Sequence, residues 1–505
     1  MSCAARNLSL VLVMTGSLFL APFGRIAPCD QCRTGHTDAA EVKSAERTFP
    51  SIPGAIHELP GWIAKDAPFD AADWLKPIPP EENAAPLYLE ALYEFAPHRL
   101  KDCVSPQVHA ARGVALEERA ARREAVVNRD WKTVSAAERG VVVAEYEDAF
   151  EKLARAQKRP RCRFETGLDA GMLLAPFDSS ALQYAHAARW VERLADWRVE
   201  MWVGQGRIDR ALDDVEIVLR LGRDLRPRGP MFSQSISMIF DNRTAGDIIP
   251  RILAASDLKT ADCDQLLEIL QRHEAAALDF SEGFRADYFV FRDLLHRLEL
   301  RENLGAKFLK LEASNGQVLA NYVGEPAAPD AETARELDEL LERMKPADFV
   351  AEIKALNRYF RPLVAARLPP SAEMETFLKR QEQAGEDLKL VRYRLDWVPD
   401  YFVGIRGHAT NWGATKCLVA LARWRLEQGD KLPPDLATVC KAAGMKAIPI
   451  DPFSKTGEPL RGIALGDEYV IYSIAADGED NEAQLIWDFR SSNGDWIFRL
   501  KLRQE

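Results

Sequence analysis

Two apolar stripes joined by Gly204-Gln205-Gly206 constrain this chain more than any other feature. Trp190, Leu194, Trp197 and Met201 recur at i, i+4, i+7 and i+11, and beyond the glycines Ile208, Leu212, Val215, Leu219 and Gly222 keep that spacing. Steps of three and four place such residues on one face of a helix. A short glycine turn between two helices makes them antiparallel neighbours whose stripes share a core. The pattern therefore predicts a helical hairpin over 181–225 with Trp197 inside. A buried tryptophan there leads one to expect Trp197→Ala to destabilise the body by ~3–5 kcal/mol.

Most of the sequence between 80 and 410 is similar material. A helix is predicted over 84–95, after Glu81-Glu82-Asn83, and a charged one over 110–128. A third follows Ser135, where Glu138 gives a capping-box spacing, and runs until Arg159-Pro160 stops it. Further helical periodicity covers 231–249, 261–278 and 280–304. A loop is expected over 321–330, then two charged helices over 331–344 and 371–390 separated by a proline-marked stretch. After 410 the pattern changes. A helix over 412–428 closes at Gly429, a short helix follows Asp435, and β-prone runs fall at 448–452, 468–474, 485–489 and 496–500. The fold class expected is mainly α: antiparallel helix pairs over 81–410, then a small α+β module with a short antiparallel sheet over 411–505.

At 505 residues the chain is longer than one hydrophobic core usually serves. Its formal net charge of −11 argues against nucleic acid as a partner, since phosphate binding calls for a concentrated basic surface. Residues 1–28 read as a signal peptide or N-terminal anchor: Arg6 precedes an uncharged run, Leu8 to Pro22, too short for a membrane span of ~20 residues. Pro22 and Pro28 make a poor cleavage site, so an uncleaved tether stays open, and the location expected is periplasmic or secreted. Residues 29–80 form a proline-rich lead-in, with segments near Trp62 and Trp74 packed on the body.

Export permits disulfides. Cys29 and Cys32 form a CxxC that lacks the second half of a zinc ribbon, and Cys263 reads as a small buried apolar residue. Cys103 and Cys162 occupy loop-like contexts. A bridge between them would be worth ~4 kcal/mol in the chain-entropy model.

Catalytic motifs are scarce. No HExxH, GxSxG, P-loop or GxGxxG occurs, and no two of the eight histidines pair at metal-ligand spacing. His186 on the central helix reads as structural, and Asp213-Asp214 as solvated. Gly206-Arg207-Ile208-Asp209-Arg210-Ala211-Leu212 resembles the turn of a tetratricopeptide-type helix pair, although repeats at that period are not visible. With Glu81-Glu82-Asn83-Ala84-Ala85 and Pro160-Arg161-Cys162-Arg163-Phe164, the body is similar to uncharacterised exported bacterial helical proteins.

The C-terminal region carries a sharper likeness. Glu427-Gln428-Gly429, Leu432-Pro433-Pro434, Asp451-Pro452-Phe453, Glu468 to Ser473, Ala476 to Asp480 and Ile486-Trp487 follow in order. Residues 412–489 thereby resemble the globular part of the type II secretion major pseudopilin. That resemblance implies an acidic loop after the Tyr472-Ser473 strand that binds calcium and orders the sheet. The residues agree: Asp477, Asp480, Asn481 and Glu482 gather oxygen donors around Gly478, and calcium takes oxygen ligands in flexible geometry. The loop is shorter than the family's, and the pseudopilin leader and polymerising helix are missing, so assembly into a pseudopilus is not implied.

The expected function is an exported, non-enzymatic helical scaffold or interaction protein serving a protein partner in the cell envelope. Its contact with the membrane would depend on an uncleaved N-terminal segment. The alternative is a cell-envelope hydrolase or lyase whose site forms only in the folded helical body. A deep pocket gathering a histidine and two or more acids would mark the enzyme.

Overall fold

A computed structural model describes residues 67–103, 106–127, 134–164, 183–276, 281–300, 339–365, 371–391, 395, 398–429, 431–466, 468–486 and 493–500. The segment 1–28, the Cys29/Cys32 pair, Trp62, the 321–330 loop and most of the 331–344 helix lie outside those residues. The first described helix, α1 (Ala71–Trp74), is capped by the Asp70 carboxylate. Trp74 lands on the body as expected: its ring stacks on Phe289 at 5.3 Å and its Nε1 donates to Glu282 at 3.0 Å.

Next come α2 (Ala85–Phe95), α3 (Pro97–Leu100), α4 (Pro106–Val127), α5 (Ala136–Ala144) and α6 (Glu147–Ala156). The single helix expected after Ser135 is two. The capping box of Ser135 and Glu138 is present, but the chain turns at Glu145 and Tyr146 before resuming. Burial explains the break, because Tyr146 is fully buried and stacks on Phe95 at 5.1 Å. Asn83 joins the two segments that open and close this region. Its side chain accepts from Ala85 N and Arg163 N and donates to the Arg163 carbonyl.

The central hairpin is α7 (Gln183–Gly204) and α8 (Ile208–Asp224). Its turn is a Schellman cap: Arg207 N donates to Trp202 O at 2.8 Å and Gly206 N to Val203 O at 3.1 Å. Gly206 takes φ +68°, a conformation that favours glycine. The α8 stripe is buried in full, Ile208, Leu212, Val215, Leu219 and Gly222 alike. The α7 stripe is displaced: Leu194 is buried, whereas Trp190, Trp197 and Met201 are half-buried. The face α7 turns inward is lined by Ala187, Ala188, Val191, Ala195 and Val199, and small residues there let α8 approach closely. Trp190 covers a buried arginine instead, lying under the Arg123 guanidinium at 3.7 Å. Asp214, expected in solvent, is also buried, where Arg198 Nε at 3.0 Å and Trp202 Nε1 at 2.9 Å bind it.

Beyond the hairpin run α9 (Met231–Arg243), a π-helical turn (Thr244–Ile248), α10 (Ile249–Leu253), α11 (Thr260–Ala275), α12 (Ser281–Glu299), α13 (Pro346–Ala365) and α14 (Ser371–Glu386). The proline-marked stretch expected to separate two helices is itself the helix α13, with Pro362 inside it. Then α15 (Val398–Gln428) leads to α16 (Leu436–Ala442) and a sheet of β1 (Arg461–Leu465), β2 (Glu468–Ser473) and β3 (Trp496–Arg499) in antiparallel order β1-β2-β3. The fold class is as expected, mainly helical with a small antiparallel sheet. The strand membership differs: β1 replaces the run at 448–452, and Ile450 and Ile486 form isolated bridges only.

The boundary expected at 410/411 falls inside α15. Its first turns pack into a core with α12, α13 and α14, and its later turns into a second core with α8, α11, α16 and β2. The C-terminal module thus shares its apolar interior with the hairpin. A third core joins α2, α6 and the inner faces of α7 and α8.

Cys103 and Cys162 are separate buried thiols in that third core, so the expected bridge is absent. Each fills apolar space as a small side chain, and burial pushes the Cys103 thiol up to about 11. Cys263 is fully buried, as expected.

Candidate functional site

The acidic loop follows β2, the central strand of the sheet. Its foundation is Asp451, fully buried, whose carboxylate accepts from Phe453 N (3.0 Å), Ser473 Oγ (2.8 Å) and Ile474 N (3.0 Å). One carboxylate thereby holds the Asp451-Pro452-Phe453 turn against the end of β2, and the loop departs from that anchor.

Within the loop, Asp477 accepts from Glu479 N at 3.0 Å and from Gly494 N at 2.7 Å. Asp480 accepts from Glu482 N at 2.9 Å and stands 3.1 Å from Arg461 Nε. The Asn481 side chain donates to Glu479 O, and the Glu482 side chain is exposed. Glu482 and Ala483 both take positive φ, 54° and 57°, which costs a non-glycine residue on the order of 1–2 kcal/mol each.

What holds this conformation is Asp495, a residue the sequence did not single out. One of its oxygens, Oδ2, accepts from both Asn481 N (3.1 Å) and Ala483 N (2.8 Å). The other, Oδ1, is buried with no hydrogen-bond partner. Burial holds the Asp495 carboxyl above its ordinary range, and the charges of Asp480 and Asp477 push it further the same way, against the two amides. Burial and Asp480 likewise push the Tyr472 hydroxyl up to about 12.

Of the four expected ligands, Asp477 and Asp480 thus lie within electrostatic reach of a third carboxylate, while Asn481 contributes a backbone amide. Among the described residues no three His, Cys, Asp or Glu side chains already stand as a metal cage. The donor set nonetheless suits a hard cation, because a buried carboxylate oxygen without a partner is costly unless a charge meets it. The only sequence signal for Asp495 is a Gly494-Asp495 step some fifteen residues downstream, too far for a local motif to reveal.

A second polar cluster lies where the three apolar cores meet. Asp241 on α9 is fully buried: Arg226 Nη2 lies 2.7 Å from its Oδ2, His273 Nε2 of α11 3.1 Å from its Oδ1, and His408 Nε2 of α15 3.4 Å from its Oδ2. Arg226 Nε also donates to Ser237 Oγ at 2.6 Å, and Asn411 Nδ2 to Asn242 Oδ1 at 3.1 Å. Burial is opposed at Asp241 by His273 and Arg226, which hold its carboxyl down to about 2. Burial lowers His408 to about 4 despite the neighbouring Asp241.

No family model, curated protein or solved structure matches this chain.

The Asp241 cluster has part of the composition of a catalytic site. It gathers two histidines but one acid; Asp241 and His273 are buried between helices, and His408 is half-buried. A second line of charge runs along α7, where Glu192 Oε1 is 2.6 Å from Arg243 Nε and Asp196 Oδ1 is 3.3 Å from Arg251 Nη1. Burial raises Glu192 to about 7. These arrangements pin α7, α9, α10, α11 and α15 in register. The hollow bounded by Leu421, Arg425, Leu432 and Tyr469 encloses about 10 Å³, room for roughly one water molecule. Among the described residues no helix is long and apolar enough to cross a membrane.

Proposed function

We propose that this chain is an exported, non-enzymatic helical scaffold for a protein partner in the cell envelope, ending in a pseudopilin-like module that calcium stabilises. The observation that carries the cation reading is the buried, unpartnered Oδ1 of Asp495 beside Asp477 and Asp480. These three carboxylates would hold the ion, and the ion would supply the positive charge that relieves their repulsion. Arg461, already 3.1 Å from Asp480, competes for that oxygen and makes a modest affinity the expectation. Support for a scaffold in place of an enzyme comes from the polar clusters, whose ion pairs bind helix to helix.

The test is unfolding of the full chain, since the module shares its core with the hairpin. A ligand that binds the folded state alone stabilises by ~2.7 kcal/mol at a hundredfold excess over Kd, and weak extracellular sites call for calcium at about the millimolar level. Calcium should raise the melting temperature of the wild type relative to chelator and leave Asp495→Asn unchanged. Identical melting of the wild type in both buffers would remove calcium and leave the loop as a hydrogen-bonded turn.

A further inference from the structure

Cys417 and Cys440 face each other across the packing of α15 on α16. Their sulfurs are 3.9 Å apart, and both residues are buried, at 0% and 1% exposure. Among the described cysteines they are the pair in sulfur contact; Cys103, Cys162 and Cys263 sit elsewhere as single thiols. Leu418, Leu436 and Val439 pack around them in the same core, so the two side chains have few directions to turn except toward each other. We propose that Cys417 and Cys440 form an intramolecular disulfide, a covalent staple fastening the first helix of the C-terminal module to the long helix shared with the body.

Either thiol can be the first nucleophile, because the contact between them is symmetric and the balance is the same for both; Cys440 is taken first. The oxidant is a small-molecule or protein disulfide. Cys440 thiolate attacks one of its sulfurs, the oxidant's S–S bond breaks, and one thiol leaves with a proton. Cys417, losing its own proton, then attacks the Cys440 sulfur of the mixed disulfide and displaces the second thiol. Two S–H bonds become one S–S bond, and one disulfide of the oxidant becomes two thiols. Because both sulfurs are covered, the exchange takes place while α16 is detached, during folding or local opening. The bridge spans 23 residues of sequence. In the chain-entropy model, closing such a loop lowers the unfolding equilibrium constant by roughly two orders of magnitude.

The experiment refolds the full chain from denaturant in a mixture of glutathione and glutathione disulfide, with a parallel sample kept reduced throughout. Peptide mapping of the oxidised sample should find the Cys417 and Cys440 peptides linked, two hydrogens lighter than their sum. The oxidised chain should also need more denaturant to unfold than the reduced chain. That difference should vanish in Cys417→Ala/Cys440→Ala and persist in Cys103→Ala. Recovery of Cys417 and Cys440 as alkylatable thiols from oxidised, refolded chain would overturn the proposal, as would their appearance mainly in links to other cysteines. The outcome is independent of calcium, because both samples are measured in chelator.

Discussion

Asn83 grips the backbone of Arg163 from both sides, accepting from its amide at 2.9 Å and donating to its carbonyl at 3.1 Å. Eighty residues separate the two in sequence. The same oxygen also accepts from Ala85 N at the start of α2. An amide side chain carries the donor and the acceptor on separate atoms, which lets it reach both backbone groups at once. Asn83→Ala should cost about 2 kcal/mol in urea unfolding, from the lost hydrogen bonds and the weakened helix start. Asn83→Asp, which keeps the acceptor but loses the donor, should fall between wild type and alanine. An alanine variant as stable as wild type would show that solvent replaces Asn83 at no cost.

The Asp241 cluster makes stability sensitive to acid. His408 is lowered to about 4 in the fold, so between that value and its ordinary 6.5 the unfolded chain binds the extra proton, and stability falls as pH falls through this window. Asp241, held down to about 2 from an ordinary 3.8, adds a second loss of the same sign at lower pH. Glu192, raised to about 7, acts oppositely, because the folded state takes up its proton first. Comparing wild type with His408→Gln isolates the histidine. Between pH 7 and 4.5 the wild type should lose about 2 kcal/mol more than the variant in denaturant titrations. Parallel pH profiles would mean that His408 is as readily protonated in the fold as in the unfolded chain.

Within the hairpin, the cost of truncation should follow burial and not residue size. Leu212 is fully buried, and Leu212→Ala should cost about 3 kcal/mol. Trp197 packs half-buried at the edge of the core, so Trp197→Ala should cost about 1–2 kcal/mol, less than its place in the apolar stripe suggests. Asp214→Ala should cost about 3 kcal/mol, because Arg198 and the Trp202 indole N–H lose the buried carboxylate that binds them both, and Arg198 keeps only the half-exposed Glu147 as its partner. Melting temperatures of the three variants, ordered Trp197→Ala above the other two, check the account.

Asp451 should be the most sensitive position in the C-terminal module. Its three accepted hydrogen bonds tie the Pro452 turn to the end of β2, and all are buried. Asp451→Ala should destabilise the chain by about 3 kcal/mol and increase hydrogen exchange at Ile474. Ser473→Ala, which removes one donor, should cost about 1–2 kcal/mol. Unchanged exchange at Ile474 in Asp451→Ala would place the anchor of the loop elsewhere.

The sequence by itself determined the local structure: the α8 stripe, the Schellman turn at Gly206, the Ser135–Glu138 capping box, the stop at Pro160, the helix end at Gly429 and the central strand β2. Each depends on residues within a few positions of one another, where periodicity and capping chemistry act directly. Tertiary structure decided the rest. Asp214 is buried where its polarity suggests solvent, because Arg198 meets its carboxylate, and Trp197 is half-buried where its stripe suggests the core, because small residues let α8 approach α7 on another face. The two halves expected at 410/411 share one helix, since α15 has apolar partners along its whole length. Asp241 with His273 and His408, Asp495 with the amides of Asn481 and Ala483, and Cys417 with Cys440 carry little sequence signal. The reason is physical: what a buried charge or thiol does depends on the group that meets it, and here that group comes from 12 to 167 residues away.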